Sequence, residues 1–303
     1  MKTDWLMASW QADGWCQQPV MARGAEFGDG LFETLRINAQ GEIPLWSLHR
    51  QRLAEGLVKL NLPIDSLSII DRAINQLLST QLMTVVAPQH TYGWQVKLLV
   101  ERAANVTSQM PVRGYAYHTD QAVVLSVVIR PAPGFLPVEQ GMTVGVSPVV
   151  LSQQPLLAGI KHLNRLEQVL ARQQFAEDWQ ECLMLNPQGD VIEGCMSNLY
   201  ILENQQLITP LLDQAGVEGV ARRWLFEQAE SLGLSITQGV IDLARVRQAD
   251  GVLYSNTLNG FSWVERLEKE HFSLSSCEKT QRVCATIQTA FIQTLCGTLC
   301  KTS

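Results

Sequence analysis

The sequence predicts an α+β protein of two domains, residues 1–119 and 120–303, and three observations predict it. A chain of 303 residues, 46% hydrophobic and 17% charged, is long enough to bury one large core or two medium ones. Period-2 runs rich in Val and Leu are mixed along the chain with apolar stripes of helical period, the pattern of an α+β fold. Two strand-like runs, 92–102 and 121–130, are parted by the polar stretch 103–113, and a second set of strands follows, so the boundary falls near 119.

The elements follow in order. From Trp5 to about Leu45 the chain reads as short strands with turns at Ala12-Asp13-Gly14 and Asn38-Ala39-Gln40-Gly41, the second a hairpin signal. Leu48, Leu53, Leu57 and Leu60 then mark one face of a first helix, and Leu67, Ile70, Ala73, Ile74 and Leu77 one face of a second. The stretch 103–113 reads as a mobile loop between strands. Beyond the boundary, 142–150 is a strand, and the loop 152–160 delivers Lys161 to an amphipathic helix. Residues 181–186 and 191–202, joined by Asn186-Pro187-Gln188-Gly189-Asp190, form a hairpin. A short strand ends at Thr209-Pro210, Gly216-Val217-Glu218-Gly219 opens a helix carrying Val220, Trp224, Leu225 and Ala229, and 251–255 is a buried strand.

Composition excludes several classes of function. A net charge of -6 supplies no global field for nucleic acid. The seven cysteines show no C-x-x-C pair and no histidine partner at ligand spacing, so reduced thiols are expected and a metal is not; Cys296 and Cys300, four apart, are the nearest thing to a ligand pair. Asp4 and a broken apolar pattern argue against a signal peptide, and no apolar run reaches the roughly 20 residues of a membrane span. A cytoplasmic protein without membrane or nucleic-acid partners is expected.

Against that background one lysine stands out. Only seven lysines occur, and Lys161 follows Leu156-Leu157-Ala158-Gly159-Ile160, surroundings that disfavour an ammonium and favour a nucleophilic amine such as a Schiff-base lysine. A solvated lysine with its stem along apolar neighbours is the competing reading. A lysine that holds pyridoxal 5'-phosphate needs an anion cradle, an acid opposite the pyridine nitrogen and donors for substrate. Gly216-Val217-Glu218-Gly219 at a helix start offers backbone N–H groups, Ser255-Asn256-Thr257 offers hydroxyl and amide donors, and Arg50 offers a cation. Glu193 sits among residues that read as buried and should face a cation; a salt bridge or an exposed strand position is the alternative. Arg36 and Arg113 carry forks suited to carboxylates, although each alone is an ordinary surface arginine. His162 adjoins Lys161 but, on a helix, points about 100° away.

The residues Phe27-Gly28-Asp29-Gly30-Leu31-Phe32-Glu33-Thr34, Lys161, Glu193 with Ser197-Asn198, and Gly216-Val217 resemble the fold-type IV pyridoxal-phosphate enzymes over nearly the whole chain. That family contains branched-chain and D-amino acid aminotransferases and 4-amino-4-deoxychorismate lyase. The runs 157–170 and 211–217 are most similar to the lyase, which makes 4-aminobenzoate for folate and releases pyruvate. The resemblance implies a small α+β domain, a larger pseudo-barrel domain, the cofactor in the cleft between them, and a homodimer acting on a small molecule. It implies Lys161 as the covalent anchor of the cofactor and, with Thr34, as a catalytic residue. Glu193 would pair with the pyridine nitrogen beside Ser197 and Asn198, and Arg50 would bind the phosphate with the amides of Val217 and Glu218 and with Asn256 and Thr257. Thr34, Arg36, Arg113 and Tyr115 would line the substrate pocket. Two features depart from the family: Ala22-Arg23-Gly24 replaces the usual Asp-Arg-Gly, and the segment 103–113 is longer. Transamination of a D- or branched-chain amino acid uses the same lysine, glutamate and phosphate cup and is the alternative activity; a scaffold that binds the vitamin without turnover is the alternative outside enzymes.

Overall fold

The computed structural model describes residues 6–11, 14–16, 22–79, 92–103, 114–117 and 122–296. Its contacts divide the chain into two units, Met1–Pro133 with Ile160–Asn164, and Gly134–Gly159 with Arg165–Ser303.

The first unit is a five-stranded antiparallel sheet in the order β2-β1-β5-β4-β3, from β1 (Leu6–Gln11), β2 (Gly14–Cys16), β3 (Gly30–Ile37), β4 (Trp94–Arg102) and β5 (Val123–Pro131). Val96, Leu98 and Val100 of β4 and Leu125, Val127 and Ile129 of β5 are wholly buried and alternate with more accessible residues, so their apolar faces come from strand periodicity. Each such side chain contributes about 1.5–3 kcal/mol on burial. Helices α1 (Arg23–Phe27), α2 (Trp46–Lys59) and α3 (Ser66–Ser79) accompany the sheet. The apolar stripe expected on α3 is the buried one, Leu67, Ile70, Ala73, Ile74 and Leu77. On α2 the buried face holds Leu48, Leu53 and Leu57 but also His49 and Arg52.

Two expectations change here. The turn at Asn38 to Gly41, closed by the Asn38 side chain accepting from the N–H groups of Gln40 and Glu42, leads into α2 and makes no hairpin; β3 pairs with β4. The first unit also runs past residue 119 to Pro133, because β5 is hydrogen-bonded between β1 and β4 and cannot be cut from them.

The second unit is a nine-stranded mixed sheet that curls into a half-barrel, in the order β11-β10-β9-β12-β13-β6-β7-β8 with β14 on β13. Its strands are β6 (Met142–Val146), β7 (Glu181–Leu185), β8 (Val191–Glu193), β9 (Asn198–Glu203), β10 (Gln206–Pro210), β11 (Ser235–Gly239), β12 (Gly251–Asn256), β13 (Gly260–Leu267) and β14 (Glu270–His271). Helices α4 (Leu166–Gln173), α5 (Val220–Gln228), α6 (Leu243–Gln248) and α7 (Leu274–Cys296) complete it. The core gathers Val144, Leu183, Val191, Leu199, Ile201, Val252 and Tyr254. Trp224 of α5 and Phe291 of α7 meet edge-on with centroids 4.9 Å apart, fastening two helices through one aromatic contact. The expected strand 191–202 is interrupted at residues 194–197: β8 pairs with β7, whereas β9 leaves to pair with β10 and β12.

Candidate active site

Lys161 lies on an extended segment, and α4 begins only at Leu166. Ile160–Asn164 runs along the open edge of β3, where the Phe32 N–H donates to the Lys161 carbonyl (2.9 Å) and the Leu163 N–H to the Gly30 carbonyl (3.0 Å). The Asn164 amide donates to the Gly28 carbonyl (3.3 Å) and closes the segment's far end. This register sets the Lys161 Nζ 4.6 Å from the centroid of the Phe32 ring, a cation–π contact. Thr34, half-buried, follows Phe32 on the same strand face. Neighbours on an extended chain point to opposite faces, so His162, bridged to Leu31, still does not share the direction of Lys161.

Helical phase separates the two arginines of α2. Arg50 lies on the accessible face, 44% exposed, and pairs with Asp71 of α3 (2.9 Å). Arg52, about 200° further round, is turned inward, where its Nε donates to Glu33 of β3 (2.8 Å). The same carboxylate accepts from His49 Nδ1 (2.7 Å). Burial alone would raise Glu33, but the charge of Arg52 and the hydrogen bonds outweigh it and bring the carboxyl down to about 2. Burial lowers His49, leaving the imidazole neutral and Arg52 as the cation of the cluster. The phosphate cation expected at Arg50 is therefore better sought at Arg52.

Arg36 also differs from expectation. Its side chain is buried and its fork is committed to the carbonyls of Tyr92 (2.7 Å) and Pro133 (2.9 Å), so it ties the end of β3 to neighbouring chain instead of awaiting a substrate carboxylate. Tyr115 is 84% exposed and meets Phe27 edge-on at 5.4 Å. Arg113 lies outside the described residues. Arg23, in the departing Ala22-Arg23-Gly24 segment, pairs with Asp29 (2.9 Å), which Arg102 also holds (2.9 Å).

In the second unit Glu193 ends β8 and is buried, accepting the Val217 N–H (2.8 Å). The side chain of Asn198 clamps the same turn, donating to the Val217 carbonyl (2.7 Å) and accepting from the Gly219 N–H (3.0 Å). Gly216, at φ +87°, lets the chain double back so that Gly159 donates to its carbonyl (2.9 Å) while the Glu218 N–H donates to Gly159 (3.0 Å). The amides of Val217, Glu218 and Gly219 are thus consumed, and the Val217 and Glu218 donors expected for a phosphate are not available. The cradle moves one turn on. α5 starts at Val220 with Gly219 as an extended N-cap and no side-chain cap, and the N–H groups of Val220 and Ala221 have no acceptor within the helix. Both residues are 1% exposed, so these donors need an acceptor from elsewhere. On β12, Asn256 donates to the Ser197 hydroxyl (3.1 Å) and its carbonyl oxygen accepts from Leu258 (3.0 Å) and Asn259 (2.8 Å), shaping the turn that presents Thr257. Ser255 is occupied by the hydroxyl of Tyr200 (2.8 Å).

A lysine on a sheet edge, a buried carboxylate closing a strand and an uncapped helix start are the furniture of an enzyme that holds an anionic, nitrogen-containing cofactor. Residues 30–267 match the family model described as amino-transferase class IV, and the chain belongs to that family. It is 31% identical over 246 residues to an aminodeoxychorismate lyase from Vibrio harveyi, covering 80% of this chain and 84% of that one. The crystal structure of 4-amino-4-deoxychorismate lyase from Pseudomonas aeruginosa superposes with a TM-score of 0.75 at 32% identity, covering 90% of this chain and 97% of that one. A D-alanine aminotransferase from Listeria monocytogenes is 27% identical over 237 residues, covering 78% of this chain and 77% of that one. The fold is that of the fold-type IV enzymes, and the cofactor is pyridoxal 5'-phosphate. The residues of each unit fit it separately: in the second unit the start of α5 has N–H groups without an acceptor in the helix and Glu193 is a buried acid, and in the first unit Arg52 is an inward cation.

Proposed function

We propose that the chain is an aminodeoxychorismate lyase, converting 4-amino-4-deoxychorismate to 4-aminobenzoate and pyruvate in folate biosynthesis. The observation that carries this reading is that two lyases match at 31% and 32% identity over 80% and 90% of this chain, whereas aminotransferases of similar identity match less than half of it and the D-alanine aminotransferase that matches 78% of it stands at 27%. Lys161, Glu193 and Thr257 keep the roles the sequence suggested, with Arg52 in place of Arg50 and Val220 and Ala221 in place of Val217 and Glu218.

When bound, the cofactor supplies an electron sink next to the substrate's amine-bearing carbon. Lys161 anchors it and, once its amine is free, takes the proton from C4 of the substrate. Breaking of the C3–O bond would then release enolpyruvate with the bonding electron pair; it takes up a proton at its methylene carbon to become pyruvate, and the ring becomes aromatic. The Glu193 carboxylate, fixed by the Val217 N–H, would keep a proton on the ring nitrogen. Arg52 in the first unit and the start of α5 in the second each offer donors that would suit a phosphate, and the Lys161 Nζ lies against the Phe32 ring.

A homodimer is supported by α4, where Leu166, Val169 and Leu170 form an exposed apolar stripe, with Leu166 75% exposed. A reducing, cytoplasmic setting is supported by the free thiols of Cys182, Cys195, Cys277 and Cys284. The deciding assay supplies aminodeoxychorismate alone and quantifies 4-aminobenzoate and pyruvate. Equal yields without any keto acid support the lyase; turnover only when a 2-keto acid is added, with D- or branched-chain amino acids as donors, replaces it with transamination.

A further inference from the structure

Glu181, the first residue of β7, is a carboxylate with no part in the chemistry above, yet it is 3% exposed. Among the described residues no arginine, lysine or histidine forms a salt bridge with it. Its charge is met by backbone donors: one oxygen accepts from the N–H groups of Cys195 (2.7 Å) and Cys182 (3.1 Å), the other from that of Met196 (3.2 Å). Cys195 and Met196 belong to the turn that interrupts the strand directly after Glu193. The turn fits tightly, since a Cβ on Gly194 would come within 2.8 Å of the Tyr254 ring and 2.9 Å of the Glu181 carboxyl carbon.

The last residue of that turn, Ser197, accepts from Asn256 Nδ2 (3.1 Å), and the Asn256 carbonyl oxygen accepts from the N–H groups of Leu258 and Asn259. The turn around Thr257 is therefore tied through Asn256 and Ser197 to the turn whose Cys195 and Met196 N–H groups are held by one buried carboxylate.

We propose that Glu181 is a positioning residue of the cofactor site, organising at once the turn that follows the ring-pairing Glu193 and the turn that presents Thr257 to the phosphate. The inference rests on the roles proposed above for Glu193 and Thr257. The cost of this arrangement is visible in the molecule: burial raises the Glu181 carboxyl to about 7 in spite of its donors. It lines a cavity of about 520 Å³ shared with Arg172, Glu177, Ser197 and Asn256, through which a proton can reach it. The other titratable groups packed on it, Cys182 and Tyr254, are themselves raised by their surroundings and stay neutral, so near neutrality Glu181 is the group of this cluster that changes charge. Protonation places a hydrogen on an oxygen that now accepts, and the hold on the Cys195 and Met196 N–H groups weakens.

The test is Glu181→Gln, with Ser197→Ala as a second variant that cuts only the arm to Asn256. Pyridoxal 5'-phosphate is titrated into each cofactor-free protein at several pH values, and denaturation of the cofactor-free protein is measured alongside. Glu181→Gln is expected to bind the cofactor about tenfold more weakly, the equivalent of one lost hydrogen bond to the turn at about 1.4 kcal/mol, with its unfolding midpoint little changed. Wild-type affinity is expected to fall as the pH drops through about 7, and that component disappears in the variant. Should Glu181→Gln not fold, Ser197→Ala decides, with a several-fold loss expected. Wild-type affinity in a folded Glu181→Gln, or in Ser197→Ala, overturns the proposal. If Val220→Pro also binds normally, the phosphate site itself has been misplaced; if Val220→Pro is impaired and Glu181→Gln is not, the failure is confined to the positioning role.

Discussion

Replacing Arg52 by Met and, separately, Arg50 by Met turns a two-residue difference in helical phase into a measurable contrast. Arg52 and Glu33 are 4% and 1% exposed, and removing the cation leaves a buried carboxylate facing only a neutral imidazole. Breaking such a pair costs about 3–5 kcal/mol, most of it the expense of an uncompensated buried charge. Arg50 and Asp71 are 44% and 28% exposed, and water screens them, so losing that pair costs at most about 1 kcal/mol. Urea unfolding of the cofactor-free protein, followed by circular dichroism and by tryptophan fluorescence, should show a large fall in the first-unit midpoint for Arg52→Met and almost none for Arg50→Met. Cofactor titration should show the same order. Equal losses for the two variants, or a loss below about 1 kcal/mol for Arg52→Met, would refute the assignment of the inward cation.

Lys161→Ala should lose both the visible absorbance of the bound cofactor and all turnover; a yellow, active variant removes the lysine from its role. Glu193→Gln should keep the cofactor and lose activity by about two or three orders of magnitude, and full activity would mean that the ring nitrogen is held by another group. Val220→Pro suits the first helical position after an extended Gly219 (φ -65°, ψ 146°), so α5 should persist while one phosphate donor is deleted, weakening cofactor binding about tenfold or more. Unchanged affinity would place the phosphate elsewhere. Glu33 is held at about 2 against an ordinary 4.5, so its stabilisation is complete above pH 4.5 and disappears as the pH falls toward 2. That difference corresponds to about 3 kcal/mol, and the urea midpoint of wild type should drop more steeply over this window than that of Glu33→Gln. Parallel slopes would contradict the charge assignment.

Much of this was legible before the structure. The apolar stripe of α3 and the turn at Asn186 to Asp190 are local patterns, and they appear where periodicity and turn chemistry put them. Lys161 and Glu193 stand out in the sequence because a desolvated amine and a buried acid are conspicuous in an apolar setting, and Glu193 is buried in the structure. The leucine stripe of α2 does not single out Arg52: at 100° per residue Arg50 lies only 20° from Leu57, and the inward face is completed by His49 and Gly56, two residues that carry no apolar signal. The phosphate donors were misplaced because Gly216 and Gly219 offer two helix starts, and the choice depends on Gly159, more than fifty residues away, taking the first set of amides. The fork of Arg36 was read as free because its acceptors, the carbonyls of Tyr92 and Pro133, are distant in sequence. Glu181 carries no local signal, since two of its three donors, the N–H groups of Cys195 and Met196, are brought to it by a strand that breaks only in the folded sheet.

The segment Ile160–Asn164 belongs to the first unit although second-unit chain lies on both sides of it. The polypeptide therefore passes between the units three times, and neither can be cut out as one continuous stretch. A fragment ending at Pro133 would carry β3 with the Phe32 N–H and the Gly30 carbonyl bare, an open strand edge of the sort that recruits other chains. The five residues that bear the lysine are also the seal on that edge. Dissection of this protein should consequently yield an aggregating first fragment, and solubility should return when residues 160–164 are supplied on a linker after Pro133.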